Sequence, residues 1–354
     1  MTPCFRLPRV VVDGPPEPTD SRTNLPAARV VLYGRAAEIE QLAGEVLSAP
    51  GRLVTITGPG GVGKTSVALA VARQVLPDLH HGAWLVDLST LSMSRAVPQA
   101  VARATGVRES YAATIDEALT AFLRDRELLL VMDNCEHVVD ACATLLDELL
   151  DQAPGLRVLA TSREPLRIRG EVTHALPPLA VPMQAPHRDL GHLSEIASVQ
   201  LFLDRAHGVR PDLELTNRNA DTIVEICRRL DGIPLALELA ATRVGGLSLE
   251  HIAERLRDSF AVLISGGRSR PARHQTLRAT LEWSHELLSP VEQTVFGRLG
   301  AFAGGWTMPA AEAVCAGGGV DAAEIADIVA GLVDEDGQAR YRFLEPVRDY
   351  AQLR

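Results

Sequence analysis

Gly58-Pro59-Gly60-Gly61-Val62-Gly63-Lys64-Thr65 fills every position of the phosphate-binding pattern GxxxxGK[ST]. An apolar run, Leu53 to Ile56, leads into the loop and a helical pattern, Ser66 to Val75, leads out of it, so strand, loop and helix stand in the order the motif needs. The glycines let successive main-chain N–H groups turn inward, and the helix start adds its partial positive charge. The ammonium of Lys64 then reaches the β- and γ-phosphates of a nucleotide. Thr65 is the expected Mg²⁺ ligand through its hydroxyl. Lys64 is the sole lysine beside 34 arginines, and a compact ammonium fits between phosphate oxygens where a planar guanidinium would crowd. A GC-rich genome gives the same arginine bias, so the loop and its flanks carry the reading, not the count.

The second half of such a site lies about 70 residues on. Leu128-Leu129-Leu130-Val131-Met132 is a fully apolar strand that ends in Asp133, the Walker B pattern, in which a buried strand delivers one carboxylate to the metal at the mouth of the sheet. The next residue is Asn134, and the nearest acid is Glu136. A fast hydrolase often sets a second carboxylate beside the first to activate water, so slow hydrolysis is expected. Glu136 is the better candidate base, with the alternative that its charge only favours the start of the following helix. The strand Leu156 to Thr161 runs into Ser162 and Arg163. Polar side chains there stand where a γ-phosphate would lie, and Arg163 is the candidate sensor, against the plainer reading of a solvated arginine after a strand.

Composition narrows the rest. The chain has 354 residues, 46% hydrophobic and 4% aromatic, enough for two or three domains with a large core. A net charge of −10 argues against a surface built mainly for nucleic-acid backbones. The five cysteines, Cys4, Cys135, Cys142, Cys227 and Cys315, show no CxxC spacing, so neither zinc nor a disulfide framework is indicated and reduced thiols in the cytoplasm are expected. No apolar run approaches the roughly 20 residues of a membrane span, and no signal peptide is visible.

Along the chain, residues 1–28 hold six prolines among polar residues and read as an extended, flexible arm. Residues 29–180 alternate apolar strands with amphipathic helices: a helix through Ile39, Leu42, Val46 and Leu47, a strand at Ala83 to Leu88, helices near Ser94 to Thr105 and Ile115 to Arg124, and a helix from Val138 to Leu150. That alternation predicts an α/β fold with a parallel sheet covered on both faces. Residues 190–265 read as helices, with apolar positions at Val199, Leu201, Phe202, Ile223, Ile226, Cys227 and Leu230 and again from Leu235 to Val244. In residues 270–354, Leu277, Leu281, Trp283, Leu287 and Leu288 fall in one helix, and Ser289-Pro290-Val291-Glu292 opens another.

An ordered series of motifs adds a resemblance. Asn24-Leu25-Pro26, Tyr33-Gly34-Arg35, the loop, Trp84 to Leu88, and Asp133-Asn134-Cys135-Glu136-His137 are followed by Thr161-Ser162-Arg163-Glu164-Pro165-Leu166 and Leu176-Pro177-Pro178-Leu179. Leu230-Asp231-Gly232-Ile233-Pro234 with Leu235 to Ala241, Thr276 to Ser284, and Leu299 to Trp306 complete the series. Together they resemble the STAND class of signal-transduction ATPases, whose nucleotide-binding unit is often called NB-ARC, and within it bacterial regulators of the LuxR and SARP type. The resemblance covers roughly residues 24 to 354. It implies a P-loop NTPase domain, a helical lid and a winged-helix subdomain. It also implies an ATP/ADP and Mg²⁺ site in which Tyr33, Gly34, Arg35 and Ser66 join the loop, and in which Pro234 packs against the adenine. Read from composition alone, Gly232-Ile233-Pro234 is a helix-start turn capped by Asp231.

The series also departs from the family. Leu344 stands where plant and animal relatives carry the histidine of Met-His-Asp, and leucine donates no hydrogen bond to a β-phosphate. The run Leu332 to Arg340 is short for the wing hairpin. Arg268, Arg270, Arg273 and Arg278 precede and enter the winged-helix segment, although in this class that subdomain usually packs on the nucleotide domain rather than on DNA. Two functions follow: a nucleotide-controlled switch, held by ADP and released on exchange for ATP, or an ATPase that turns over steadily. The switch carries expectations of a protein partner or self-association in the ATP state, of DNA contact only through a separate domain, and of no membrane. No repeat period or helix-turn-helix is visible outside the core, so the expectation is a fragment of a larger regulator or a stand-alone core.

Overall fold

A computed structural model describes residues 10–13, 22–27, 31–48, 52–89, 91, 94–107, 114–182, 190–256, 281–282, 285, 288–303, 305–330, 340–343 and 345–354. The chain forms two compact units, one of residues 15–58 and 63–177, the other of residues 1–14, 59–62 and 178–354.

The first unit is built on five strands: β2 (Leu53–Thr57), β3 (Ala83–Asp87), β4 (Leu128–Asp133), β5 (Leu156–Ser162) and β6 (Glu171–Ala175). They form one sheet in the order β3-β4-β5-β2-β6, and every pairing is parallel. All six residues of β4 are buried, as a strand covered on both faces requires. Leu128, Leu130 and Met132 join Leu156, Val158 and Ala160 in one cluster with helices α3 (Val97–Thr105), α4 (Ile115–Leu123) and α5 (Val139–Gln152). Leu129 and Val131 point the other way by strand alternation. Helices α1 (Ala36–Leu47) and α2 (Lys64–Val75) pack on each other and on β2 and β5. Burying one such side chain contributes about 1.5–3 kcal/mol.

The strand that sequence patterning does not reveal is β6. Of its residues, Glu-Val-Thr-His-Ala, none is fully buried, because β6 stands at an edge and needs no apolar run. At the opposite edge the chain supplies its own cover. Arg22 O accepts from Ala83 N (3.2 Å), and Thr23 Oγ1 donates to Ala83 O (2.7 Å). The Asn24 side-chain amide both donates to Leu85 O (2.9 Å) and accepts from Leu85 N (2.6 Å), as a strand backbone would.

In the second unit, α7 (Ala197–His207), α8 (Ala220–Arg229) and α9 (Pro234–Ala241) carry the expected apolar faces, with Phe202, Ile223, Ile226 and Cys227 fully buried, while the short α6 (Leu190–Glu195) buries none of its residues. Asp231 is not a helix cap, contrary to the local reading. It follows α8 in the left-handed region (φ 50), its N–H bonds Arg228 O (3.0 Å) and Gly232 N–H bonds Cys227 O (3.3 Å), which is a Schellman ending. Gly232 has no alternative there: a Cβ would lie 2.1 Å from Leu179 O. Helix α9 instead starts from Ile233, with Pro234 in its first turn.

Further on come helices Pro290–Leu299, Met308–Cys315, Ala322–Ala330 and Glu345–Ala351. Strand β1 (Val10–Asp13), inside the Pro-rich arm, pairs antiparallel with β7 (Arg340–Phe343). Ser289 opens its helix as a capping box with Glu292. Leu277, Trp283, Leu287, the four arginines at 268, 270, 273 and 278, the run 332–339 and Leu344 lie outside the described residues. No helix among the described residues is long and apolar enough to cross a membrane.

Candidate functional site

The site grows from the carboxyl ends of three adjacent strands. Strand β2 ends at Thr57 and the loop follows, turning through positive φ at Gly58 (153), Gly61 (77) and Gly63 (99). Gly63 is the N-cap of α2, and no atom lies within 4 Å of where its Cβ would be. Glycine is required there by backbone conformation, not by crowding. Lys64 is 7% exposed, and its Nζ donates to Gly58 O at 2.9 Å. The ammonium is thus folded back over the loop, at the positive end of α2.

Within the second unit, Leu235 N donates to Gly61 O (3.2 Å). This main-chain bond links the loop tip to the start of α9, one residue after Pro234. Ser66 lies in the first turn of α2 and is exposed.

On β4, Asp133 is 5% exposed, and its Oδ1 accepts two hydroxyl bonds, from Thr65 (2.8 Å) and from Thr161 of β5 (2.6 Å). Asn134 is left-handed (φ 61). Its N–H donates to Thr161 Oγ1 (3.0 Å), and its amide nitrogen lies 3.4 Å from Asp133 Oδ2. Thr65 and Asp133 therefore present only oxygen atoms, side by side, which is the donor chemistry of a hard cation such as Mg²⁺. The sequence singled out Thr65 and Asp133. It did not reveal the Thr161 bond, because that bond depends on β4 and β5 being neighbours.

Glu136 and Arg163 meet each other, with Arg163 Nε donating to Glu136 Oε1 at 2.9 Å. Glu136 sits in a short 3-10 turn, Cys135–His137, and α5 begins from Val138 with no side-chain cap bond. The turn is pinned by His137, whose Nε2 bonds Leu88 O (2.8 Å). Cys135 lies fully buried behind it, and a hydrogen bond with Cys142, reinforced by burial, pushes its thiol well above the ordinary value, so it stays neutral and unreactive. Arg35 is buried, with Glu38 at 3.0 Å and Pro177 O at 2.7 Å, and Gly34 before it has φ 62. Arg35 and Tyr33 thereby belong to the entry of α1, and Arg35 fastens that entry to the chain leaving β6.

A parallel sheet with this loop, lysine and carboxylate defines a P-loop nucleoside-triphosphatase fold. Residues 49–166 match the AAA_22 family, an AAA domain. The chain is 38% identical over 329 residues to Uncharacterized protein Rv0894 of Mycobacterium tuberculosis, covering 90% of this chain and 80% of that protein, and it belongs to the same family. It is 43% identical over 313 residues, 86% of its length, to the same organism's Putative HTH-type transcriptional regulator Rv0890c. It spans only 34% of that relative, about a third, so the domain is of a kind that occurs inside larger regulators. Among solved structures it is similar to a STAND protein with a tetratricopeptide repeat sensor from Pyrococcus horikoshii, with a TM-score of 0.54 at 14% identity, over 95% of this chain and 44% of that one. That likeness is one of fold.

Proposed function

We propose that the chain is the nucleotide-binding core of a signal-transduction switch, of the STAND and NB-ARC type, that regulates transcription directly or through a partner. The observation that carries this reading is the convergence of Lys64, Thr65 and Asp133 at the carboxyl ends of β2 and β4, which flank β5, with the Thr65 hydroxyl 2.8 Å from Asp133 Oδ1. In this reading the main-chain amides of residues 58–63 wrap the phosphates, Lys64 neutralises them, Ser66 stands at the next turn, and Tyr33, Arg35 and Pro234 bound the nucleotide. Thr65 and Asp133 would hold Mg²⁺, which when bound neutralises charge on the phosphate oxygens.

Arg163 is proposed to sense the γ-phosphate and Glu136 to orient water. In the structure one oxygen of Glu136 is already engaged by Arg163, so each must change partner to act, and slow hydrolysis follows. Residues 190–265 are proposed as the helical lid and 270–354 as the winged-helix part, released on exchange of ADP for ATP so that a partner or a second copy can bind. DNA contact comes through a separate domain, as the name of the longer relative suggests. The reading implies a cytoplasmic protein.

The test is to purify the chain, identify any retained nucleotide, and measure binding and turnover. Bound ADP, with turnover below about one per second, is the expected result. Rapid steady turnover without retained nucleotide would replace the switch by an ordinary ATPase, and no uptake of ATP or ADP would overturn both.

A further inference from the structure

Thr161 is fully buried on β5, the strand that lies between β4, which carries Asp133, and β2, which leads into the loop. Its hydroxyl has two roles at once. It donates to Asp133 Oδ1 (2.6 Å) and accepts from the main-chain N–H of Asn134 (3.0 Å). One hydroxyl thus holds one oxygen of the carboxylate and also the left-handed residue after it, a conformation that carries a steric cost for a non-glycine side chain. Thr65 donates to the same Oδ1 from another element, so two hydroxyls on two elements hold that one carboxylate oxygen.

We propose that Thr161 is a positioning residue for the metal-holding carboxylate, setting Asp133 for a divalent cation bound with the nucleotide. The proposal rests on the nucleotide reading above. A hydrogen-bond partner behind a metal ligand orients it, and losing one typically costs about 10- to 100-fold in metal affinity or activity. A serine should keep both bonds, since it keeps the hydroxyl. A valine keeps the shape and removes donor and acceptor together, leaving the Asn134 N–H without its partner.

The experiment is calorimetry on the full chain with ATP and ADP, each with Mg²⁺ and with Mg²⁺ chelated, for wild type, Thr161→Val and Thr161→Ser. The expected result is that Thr161→Val binds metal-free nucleotide as wild type does but loses about 10- to 100-fold of the affinity that Mg²⁺ adds, while Thr161→Ser retains it. A Thr161→Val protein with the full Mg²⁺ effect overturns the proposal. So does one in which metal-free and Mg²⁺-dependent binding fall in equal proportion, because that marks a purely structural role. If Thr161→Val does not fold, Thr161→Cys carries the test, its weaker thiol donor giving a partial loss of the Mg²⁺ effect, and an unchanged effect overturns the proposal. A wild-type chain that takes up no nucleotide at all sinks the functional reading instead, a result distinct from every outcome of the variants.

Discussion

The two units differ in where their buried polar atoms gather. In the sheet unit, Lys64, Thr65, Asp133, Asn134 and Thr161 converge at the ends of β2, β4 and β5 and bond one another or the nearby main chain. In the other unit the buried polar groups are dispersed. Arg243 is 4% exposed and burial pulls its pKa down to about 10, while burial pushes the Cys227 thiol up to about 12. There the space is held by rings: Phe296 meets His285, Phe343 and Tyr350, and Trp306 meets Phe302, Tyr341 and Phe343. Polar groups that share a centre satisfy one another's hydrogen bonds, whereas dispersed ones are met one at a time by their surroundings.

The contrast can be broken by mutation. Its largest expected effect lies among the rings, where Phe296→Ala should cost about 3–5 kcal/mol of stability in urea unfolding; a loss under about 1 kcal/mol would mean that the rings do not hold this unit. The counterpart in the sheet unit is Lys64→Ala. It should weaken ATP binding by about 2–5 kcal/mol, roughly 30-fold or more, with the melting temperature nearly unchanged, and a parallel loss of stability would make the lysine structural.

The third prediction uses pH. The Cys227 thiol ionises at 9.0 when unfolded and at about 12 when folded. Its raised folded value means that its contribution is complete below pH 9 and is lost as pH rises toward 12, by about 1.4 kcal/mol per pH unit. Cys227→Ala should flatten the fall in urea-measured stability between pH 9 and 10 by about 1 kcal/mol, since the unfolded thiol is only half ionised at pH 9. The smallest effects sharpen the comparison by being equal. Thr114→Ala in the sheet unit and Ser289→Ala in the other each remove a capping box and should each cost about 1 kcal/mol in thermal unfolding.

Legibility in the sequence followed the same division. Strands β2, β4 and β5 could be read because apolar residues dominate each, without a break in β4 from Leu128 to Met132, and Lys64, Thr65 and Asp133 because spacing along one chain fixes them. Strand β6 could not, since an edge strand does not need that run. The bond from Thr161 to Asp133 and the pairing of Glu136 with Arg163 join residues 28 and 27 apart, and only strand order brings them together. The ring cluster draws Phe296, Trp306, Tyr341, Phe343 and Tyr350 from separate segments, which no local periodicity shows. Asp231 looked like a cap because its residue type suits one, yet the backbone needs of α8 prevailed.

The borrowed hydrogen bonds on β3 have a consequence for handling the protein. Arg22, Thr23 and Asn24 occupy donors and acceptors that a foreign strand would otherwise use. Proteolytic trimming just past Asn24 would bare that rim and give separate molecules a surface on which to zip together, so preparations shortened at this point should clump where intact ones stay dispersed.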